Sequence, residues 1–130
     1  MTDYHQLTIL IIEDDQHTRA LIRRMLLQIG VRSITEAADG RSGYFEVLRT
    51  RPNLVFCDVH MAPVDGRAFL RQLREATLPG IAETPVVFLT GDAQRDTVLF
   101  AKEHAINGYL VKPVSLNDLK SRIDAVLTPA

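Results

Sequence analysis

Five short apolar segments, separated by longer amphipathic segments, constrain the fold of this chain more than any other feature of its sequence. The apolar segments lie at 7–12, 33–37, 54–57, 86–89 and 109–111. They are rich in Val, Ile, Leu and Phe and do not alternate with polar residues, which is typical of strands buried on both faces of a sheet. The segment at 33–37 is the weakest of the five. We therefore predict five strands.

The segments between the strands carry apolar residues at helical spacing. In the first, Leu21, Ile22, Met25, Leu26 and Ile29 form a stripe that ends at Gly30, a favourable residue just beyond a helix. Further helices are predicted at 41–50, 66–76, 94–104 and 116–126. The alternation of strands and helices predicts an α/β fold, a doubly wound five-stranded parallel sheet with helices on both faces. For a chain of this size, the flavodoxin-like strand order 2-1-3-4-5 fits best.

Two local features refine the helix predictions. Gly43 lies inside the second helix, where it costs about 1 kcal/mol relative to alanine. Ser115 precedes the last helix and is a favourable N-cap residue.

The composition narrows the class of protein. The chain has 130 residues, of which 46% are hydrophobic and 24% charged, so we expect one globular domain spanning residues 1–130. The net charge of −1 argues against direct nucleic-acid binding. Cys57 is the single cysteine, and no stretch reaches the roughly 18 apolar residues of a membrane helix. We therefore expect a soluble, cytoplasmic protein without a membrane association.

Polar side chains directly follow four of the five apolar segments. The first segment is followed by Glu13, Asp14 and Asp15, the third by Asp58, the fourth by Thr90 and the fifth by Lys112. In an open α/β sheet, these positions lie at the carboxyl edge, near the point where the strand order reverses and where ligands bind. The sequence thus predicts that carboxylates, a hydroxyl and an ammonium group meet in one crevice.

This set of groups is suited to phosphoryl transfer. Clustered carboxylates call for a cation, and a few hard oxygen ligands suit Mg²⁺, for which Mn²⁺ is a possible substitute. A carboxylate beside the cation can act as a nucleophile and form an aspartyl phosphate. A lysine ammonium and a threonine hydroxyl can hold phosphoryl oxygens, and such positioning is most of what this chemistry needs. Each feature alone is also typical of an ordinary turn or helix cap, whereas the four together favour function.

The four segments that carry these residues resemble the receiver domain of bacterial two-component response regulators. They are IIEDD (11–15), DVHMAPVDG (58–66), FLTGDA (88–93) and GYLVKP (108–113). The separations of 44 residues from Asp14 to Asp58 and 22 residues from Thr90 to Lys112 are also similar to those of the family. The resemblance covers essentially the whole chain and would make it a single receiver domain without an output domain.

The resemblance implies a phosphoacceptor and a metal site. Asp58 corresponds to the phosphoacceptor and is also a metal ligand. Asp14 resembles the acid that binds the metal directly, Glu13 its partner acting largely through water, and the backbone carbonyl of His60 a further ligand. Asp15 occupies a variable position and is left out of the metal set.

The resemblance also implies how the phosphoryl group is held and read. Thr90 and Lys112 would hold its oxygens, and Tyr109 resembles the aromatic switch residue that turns inward when Thr90 moves. The peptide bond between Lys112 and Pro113 resembles the family's cis peptide. The changing surface would be 94–127, formed by the fourth helix, the fifth strand and the fifth helix.

The implied partners are proteins. A sensor histidine kinase or a histidine phosphotransfer protein would supply the phosphoryl group, and a downstream protein would bind the 94–127 surface. A homodimer is left open. The chain would not be an enzyme in the usual sense, since it would catalyse only its own phosphorylation and dephosphorylation.

The chain departs from the family pattern after the phosphoacceptor. The family usually has Met-Pro in this loop, whereas Met61 is followed by Ala62 and then Pro63. Two positions, His60 and Asp92, lie two residues beyond Asp58 and Thr90, where family members tune dephosphorylation. We predict that these two residues set the lifetime of the phosphoryl group.

Several residues outside this set have simpler interpretations. Cys57 is predicted to be a small core residue rather than a redox centre. His5, His17 and His104 are predicted to lie on the surface, without a zinc-binding pattern. Phe100 is predicted to lie at the edge of the core, with an exposed partner anchor as the alternative.

Three alternative functions are weighed against the receiver interpretation. A Mg²⁺-dependent phosphatase with an aspartyl nucleophile typically has a second acid two residues after the nucleophile, where this chain has His60. A phosphorylation-independent interaction module would not need the intact Asp14, Asp58, Thr90 and Lys112. A flavin-binding protein of the same topology would need a phosphate-binding loop, and no loop of this chain resembles one.

Overall fold

The computed structural model describes residues 2–91 and 95–128, and its elements alternate as the sequence predicts. The strands are β1 (Thr8–Ile12), β2 (Ser33–Ala37), β3 (Leu54–Asp58), β4 (Val86–Thr90) and β5 (Tyr109–Val111). The helices are α1 (Gln16–Ile29), α2 (Gly40–Thr50), α3 (Gly66–Arg74), α4 (Arg95–Glu103) and α5 (Leu116–Leu127), and a short 3-10 helix precedes them at Tyr4–Gln6. None of the helices that the described ranges contain is long and apolar enough to cross a membrane.

The strands form one parallel sheet in the order β2-β1-β3-β4-β5, which confirms the predicted doubly wound topology. Because successive side chains of a strand point to opposite faces, the central strands supply two separate apolar layers. One layer packs against buried side chains of α2, α3 and α4, and the other against those of α1 and α5. The carboxyl ends of β1, β3, β4 and β5 consequently meet at one edge of a rigid sheet.

The prediction that all five strands are buried on both faces is wrong for the two edge strands. In β2 only Ala37 is buried, and in β5 Tyr109 and Val111 are exposed. The helices cover the centre of a twisted sheet better than its edges, and the shortness of an apolar segment does not reveal which strands are edges. Leu21, in the first predicted stripe, and Leu99, in the helix predicted at 94–104, are also exposed.

Polar N-caps start the helices that border the site. Asp15, Asp39 and Asp65 each accept a hydrogen bond from a backbone N–H of the helix that they precede. Ser115 caps α5 as predicted and forms a capping box with Asp118. These caps satisfy N–H groups that have no partner inside the helix and so fix where each helix begins.

Close packing explains the glycine within α2. A Cβ atom added to Gly43 would overlap the side chain of Ile12, the last residue of β1. The glycine thus lets α2 approach the sheet, and the local cost of placing it in a helix is offset by that packing.

Phe100 lies at the edge of the core, as predicted, and is not an exposed anchor. Its ring is buried and stacks on the ring of His104 at a centroid distance of 4.0 Å. His104, predicted to lie on the surface, is partly buried by this stacking. His5 and His17 are exposed, as predicted.

Candidate functional site

Three carboxylates form an acidic cluster at the carboxyl edge of the sheet. One oxygen each from Glu13, Asp14 and Asp58 lies within 4.8 Å of the others. Glu13 and Asp58 come together because β1 and β3 are neighbours, with Ile12 in register with Cys57. Glu13 and Asp58 are only 1% and 5% exposed, whereas Asp14 is exposed. Two of the three charges are thus held away from water, which increases their demand for a cation.

Backbone hydrogen bonds fix the turn that carries Glu13 and Asp14. The N–H of Glu13 donates to the carbonyl of Ala37 on β2, at 3.0 Å, and the N–H of Asp15 donates to the Glu13 carboxylate, at 3.2 Å. Partial burial, followed by the hydrogen bond to Glu13 and its charge, raises the pKa of the Asp14 carboxyl. A raised carboxyl pKa shows that the negative charge of Asp14 is poorly compensated by the surrounding protein.

Asp15 has a structural role that differs from those of Glu13 and Asp14. Its carboxylate accepts hydrogen bonds from the Thr18 hydroxyl, at 2.9 Å, and from the N–H of His17, at 3.0 Å. The Thr18 hydroxyl and the His17 N–H, in that order, lower the pKa of Asp15. Asp15 is therefore the N-cap of α1, and its position outside the acidic cluster agrees with its omission from the predicted metal set.

Gly66 brings the start of α3 against the backbone of Asp58. The N–H of Gly66 donates to the carbonyl of Val59 at 2.9 Å, and a Cβ atom added to Gly66 would overlap the carbonyl oxygen of Asp58. This contact was not predicted from the sequence. The available signal was the glycine directly after the N-cap residue Asp65. The first position of a helix normally accepts residues with a larger side chain, so a glycine there indicates a close contact.

Lys112 reaches across the edge of the sheet to two of the carboxylates. Its Nζ donates to Oε1 of Glu13 at 2.6 Å and lies 3.1 Å from Oδ1 of Asp58. Partial burial by itself would lower the pKa of Lys112, but the hydrogen bond to Glu13 and the charge of Asp58 outweigh it, so the pKa is raised. Lys112 is therefore a firmly protonated cation that lies between the two buried acids.

Thr90 and Tyr109 lie on the two strands beside Lys112. Thr90 is the buried last residue of β4, and its carbonyl accepts the N–H of Lys112 at 2.7 Å. Tyr109 begins β5 and is 41% exposed, so its ring lies on the outer side of the strand in this structure. The predicted phosphoryl-holding pair is thus brought together by strand pairing.

The remaining residues of the predicted site are at its rim. The side chain of His60 is exposed in the loop after β3. It does not belong to the acidic cluster of Glu13, Asp14 and Asp58. The peptide bond between Lys112 and Pro113 is cis, as predicted, and the bond between Ala62 and Pro63 is cis as well. Asp92 lies outside the described residues.

Cys57 is a buried residue of the core directly before Asp58, as predicted. Burial above all, and then the charge of Asp58, raises the pKa of its thiol well above the ordinary value. A thiol that stays protonated is a poor nucleophile and a poor metal ligand. Cys57 therefore belongs to the packing of β3 and not to the chemistry of the site.

The donor set fits a hard divalent cation. The cluster offers carboxylate oxygens only, from residues at the ends of two neighbouring strands, and one of the three carboxylates is open to solvent. Mg²⁺ takes few protein ligands and keeps several waters, which a shallow site of this kind allows. The acidic pocket of Glu13, Asp14 and Asp58 thus fits magnesium binding and a phosphoaccepting aspartate.

A five-stranded α/β fold with carboxylates and a lysine at its carboxyl edge defines a phosphoaccepting signalling domain. The chain belongs to the response regulator receiver domain family, whose model matches residues 9–124. Receiver domains of this family bind a divalent metal and act as signalling proteins that contact histidine kinases and downstream targets. The resemblance seen in the sequence is therefore confirmed, together with its fold and its class of function.

Curated relatives include both short and long proteins. The probable chemotaxis protein CheY of Rhizobium etli is 32% identical over 127 residues, which cover 97% of this chain and 96% of that protein. The transcriptional regulatory protein HprR of Escherichia coli is 34% identical over 119 residues, 92% of this chain. The chain spans only 51% of HprR, so it matches that regulator over about half of its length.

Solved structures show the same fold. The chemotaxis protein CheY4 of Vibrio cholerae is similar with a TM-score of 0.85 and 25% identity, over 93% of this chain and 98% of that chain. The Mn²⁺-bound form of the response regulator Rcp1 is similar with a TM-score of 0.77 and 26% identity, over 95% of this chain and 97% of that one.

Proposed function

We propose that Asp58 is the residue that accepts the phosphoryl group. The observation that carries the proposal is the contact of Lys112 with both buried acids, at 2.6 Å from Glu13 and 3.1 Å from Asp58. In this arrangement one oxygen of Asp58 is compensated by a fixed cation, and the acid lies at the end of a rigid strand. Attack of its carboxylate on phosphorus breaks the bond between phosphorus and the donor and leaves an acyl phosphate on Asp58.

We propose Mg²⁺ as the physiological metal, with Mn²⁺ as a substitute. Glu13, Asp14, Asp58 and the backbone carbonyl of His60 would hold it. When bound, the metal neutralises the charge that builds up on the transferred group. The Mn²⁺-bound form of the similar Rcp1 structure supports a divalent ion in such a fold. The negative carboxylates of Glu13 and Asp14 would compensate the positive charge of the metal and would not themselves react.

Lys112 and Thr90 are proposed to hold the phosphoryl oxygens. The ammonium group of Lys112 leaves part of its interaction with Glu13 and Asp58 and pairs with an oxygen of the new group, which carries close to two negative charges. The hydroxyl of Thr90, on the neighbouring strand, donates a hydrogen bond to a second oxygen. Donors that are held by strand pairing need little reorganisation during the reaction, and this lowers the barrier.

The signal is proposed to leave the site through Thr90 and Tyr109. A shift of Thr90 towards the phosphoryl group vacates space into which the exposed ring of Tyr109 turns, and the 94–127 surface then changes. This is a shift between two states, and phosphorylation moves it only by its differential affinity for them. The exposed Leu99 and Val111 on α4 and β5 support a role of this surface in protein binding.

The proposed partners follow from this chemistry. A sensor histidine kinase or a histidine phosphotransfer protein supplies the phosphoryl group, and a downstream protein binds the 94–127 surface. Water hydrolyses the acyl phosphate and ends the signal, so the chain promotes only its own phosphorylation and dephosphorylation. We place the protein in the cytoplasm and treat residues 1–130 as one receiver domain, without direct contact to nucleic acid.

The proposal is tested with acetyl phosphate, Mg²⁺ and intact mass spectrometry. The chain is expected to gain the mass of one phosphoryl group, and to lose it in mild base. Asp58→Asn and chelation of the metal should both abolish the gain. Asp15→Asn is the matched control, because it neutralises a neighbouring carboxylate that caps α1 and lies outside the acidic cluster.

Two outcomes would contradict the proposal. Phosphorylation of Asp58→Asn to the same extent as the parent chain would show that another residue accepts the group. A chain that binds Mg²⁺ but gains no phosphoryl group from acetyl phosphate or from a phosphorylated histidine phosphotransfer protein would favour the phosphorylation-independent interaction module.

The lifetime of the acyl phosphate is predicted to depend on His60 and Asp92. Replacing both with alanine should change the hydrolysis rate of phosphorylated Asp58 by roughly tenfold or more, because positioned side chains beside a reacting water contribute factors of that order. The decay of the phosphorylated mass over time measures the rate. His17→Ala, at an exposed position in α1, is the control and should leave the rate unchanged. Equal rates in the double variant and the control would rule the prediction out.

A further inference from the structure

Arg19 on α1 contacts the turn that carries the acidic pair, although it lies outside the acidic cluster. Its Nη1 donates to the backbone carbonyl of Glu13 at 2.7 Å, and its Nε donates to Oε1 of Glu36 at 2.9 Å. The side chain is only 19% exposed. A guanidinium is planar and rigid, so it can hold two acceptors in one geometry. Arg19 thereby links the edge strand β2 to the peptide group between Glu13 and Asp14.

Glu36 has a second partner on the same helix, although the residue is exposed. Its second carboxylate oxygen accepts a hydrogen bond from Arg23 at 3.1 Å, and Arg23 also donates to the carbonyl of Ile34 at 3.3 Å. On the other side, the N–H of Glu13 is bonded to the carbonyl of Ala37 at 3.0 Å. Both polar groups of the Glu13 backbone are therefore fixed from β2, one directly and one through Arg19.

We propose that Arg19 is a positioning residue for the divalent-metal site. By holding the Glu13 carbonyl, it fixes the direction in which the carboxylates of Glu13 and Asp14 leave the turn, and so prepares them for a metal. This inference rests on the proposed metal-dependent function of the cluster. Groups that orient metal ligands without touching the metal typically alter metal affinity by roughly 10- to 100-fold.

The positive charge of Arg19 is expected to lower the affinity of the site for a cation, whereas its positioning of the turn is expected to raise that affinity. The two effects therefore have to be separated. A positive side chain near a cation site weakens cation binding, so removing the charge would increase affinity. Arg19→Lys keeps the charge, but an ammonium group is a point donor and does not bridge two acceptors as a guanidinium does. A loss of affinity in Arg19→Lys therefore reports the loss of positioning.

Arg23 provides the matched control. It lies on the same helix, one turn further on, and contacts the same Glu36 carboxylate, but its hydrogen bonds go to Glu36 and Ile34 and none goes to Glu13. Its side chain is 43% exposed. Arg23→Lys thus makes the same chemical change on the same ion-pair network but leaves the hydrogen bond from Arg19 to the Glu13 carbonyl in place.

The test is a calorimetric titration of the full chain with MnCl₂. Arg19→Lys is expected to bind Mn²⁺ roughly tenfold more weakly than the parent chain, whereas Arg23→Lys should differ from it by less than about twofold. Urea unfolding of each variant, with chelator present, establishes that both are folded at the temperature of the titration.

A second readout separates positioning from general damage to the site. The rate of phosphorylation by acetyl phosphate is measured over a range of Mg²⁺ concentrations. Arg19→Lys should need a higher Mg²⁺ concentration for half of its maximal rate but should reach the rate of the parent chain at saturating Mg²⁺, because the reacting groups are unchanged. Damage to the site would lower the maximal rate instead.

The outcomes distinguish this inference from the proposed function. A parent chain that binds no Mn²⁺ would overturn the proposed function itself. A parent chain that binds Mn²⁺, with Arg19→Lys binding it equally well or with Arg19→Lys and Arg23→Lys weakened equally, would overturn only the role of Arg19.

If Arg19→Lys does not fold, Glu36→Gln takes its place. This change weakens the acceptor that holds Arg19, and titration at about 1 M salt, where the Debye length is about 3 Å, screens the lost charge. Weaker Mn²⁺ binding under these conditions supports the role of Arg19, and unchanged binding overturns it.

Discussion

Lys112→Met is expected to slow phosphorylation by acetyl phosphate by about 10²- to 10³-fold, the usual effect of removing a preorganised donor from a charged transition state. The same change should destabilise the metal-free protein by about 3 kcal/mol, because breaking a buried ion pair leaves an uncompensated charge. Glu13 is almost fully buried, and Nζ of Lys112 lies 2.6 Å from its carboxylate.

The loss of stability in Lys112→Met is expected to depend on Mg²⁺. Saturating Mg²⁺ should recover much of the stability lost in Lys112→Met, because a bound cation compensates the same carboxylates and binds the folded state only. Urea unfolding with Mg²⁺ and with chelator measures the two free energies of unfolding.

Lys120→Met is the matched control. Lys120 pairs with Asp124 at the surface of α5, at 3.2 Å, and its loss should lower the free energy of unfolding far less than Lys112→Met does, with no dependence on Mg²⁺. Equal losses of stability in the two variants would contradict the interpretation of Lys112 as the cation that compensates the buried acids.

Gly66→Ala is expected to lower the free energy of unfolding by about 2–3 kcal/mol, in the range of overpacking in a close-packed interior. The added methyl group would overlap the carbonyl oxygen of Asp58, and the Gly66 N–H bond to Val59 keeps α3 from moving away without a further loss. Because the displaced group is the backbone of Asp58, the rate of phosphorylation should fall as well. Chemical unfolding and the acetyl phosphate assay measure the two effects.

Gly91→Ala is the control for this change. An added Cβ atom at Gly91 meets no atom of the described residues within 4 Å, and Gly91 follows Thr90 at the same edge of the sheet. Its free energy of unfolding should change by less than about 0.5 kcal/mol. If Gly66→Ala proves as stable and as active as Gly91→Ala, the close approach of α3 to Asp58 does not constrain the site.

Local patterns predicted the elements well where a single rule decides them. The bounds of β2 and β5 agree with the sequence prediction, and α1 ends before Gly30, whose φ of 118° is a left-handed conformation that favours glycine. β3 and β4 each extend one residue further than predicted, so Asp58 and Thr90 end their strands rather than follow them. A polar residue at a strand end breaks the apolar pattern, although the backbone remains paired.

The grouping of Glu13, Asp14 and Asp58 at one edge of the sheet was also predictable, but the contacts that each acid makes were not. Glu13, Asp14 and Asp15 are consecutive acids that the strand-end pattern alone does not distinguish, and only the family resemblance set Asp15 apart. In the structure one is buried against Lys112, one is exposed at the edge of the cluster, and one caps α1. The difference comes from the direction in which each side chain leaves the turn, which the neighbouring helix and strand determine.

The sequence by itself determined the order of the elements and the side chains that end the strands. Short apolar segments and helical stripes are local, period-based signals, and parallel strands necessarily bring their carboxyl ends to one edge. Only the tertiary structure decided that Lys112 reaches Glu13 across 99 positions of the chain, that α3 approaches Asp58 at Gly66, and that Arg19 holds the acidic turn. These contacts depend on register and on the approach of helices to the sheet, which no local pattern encodes.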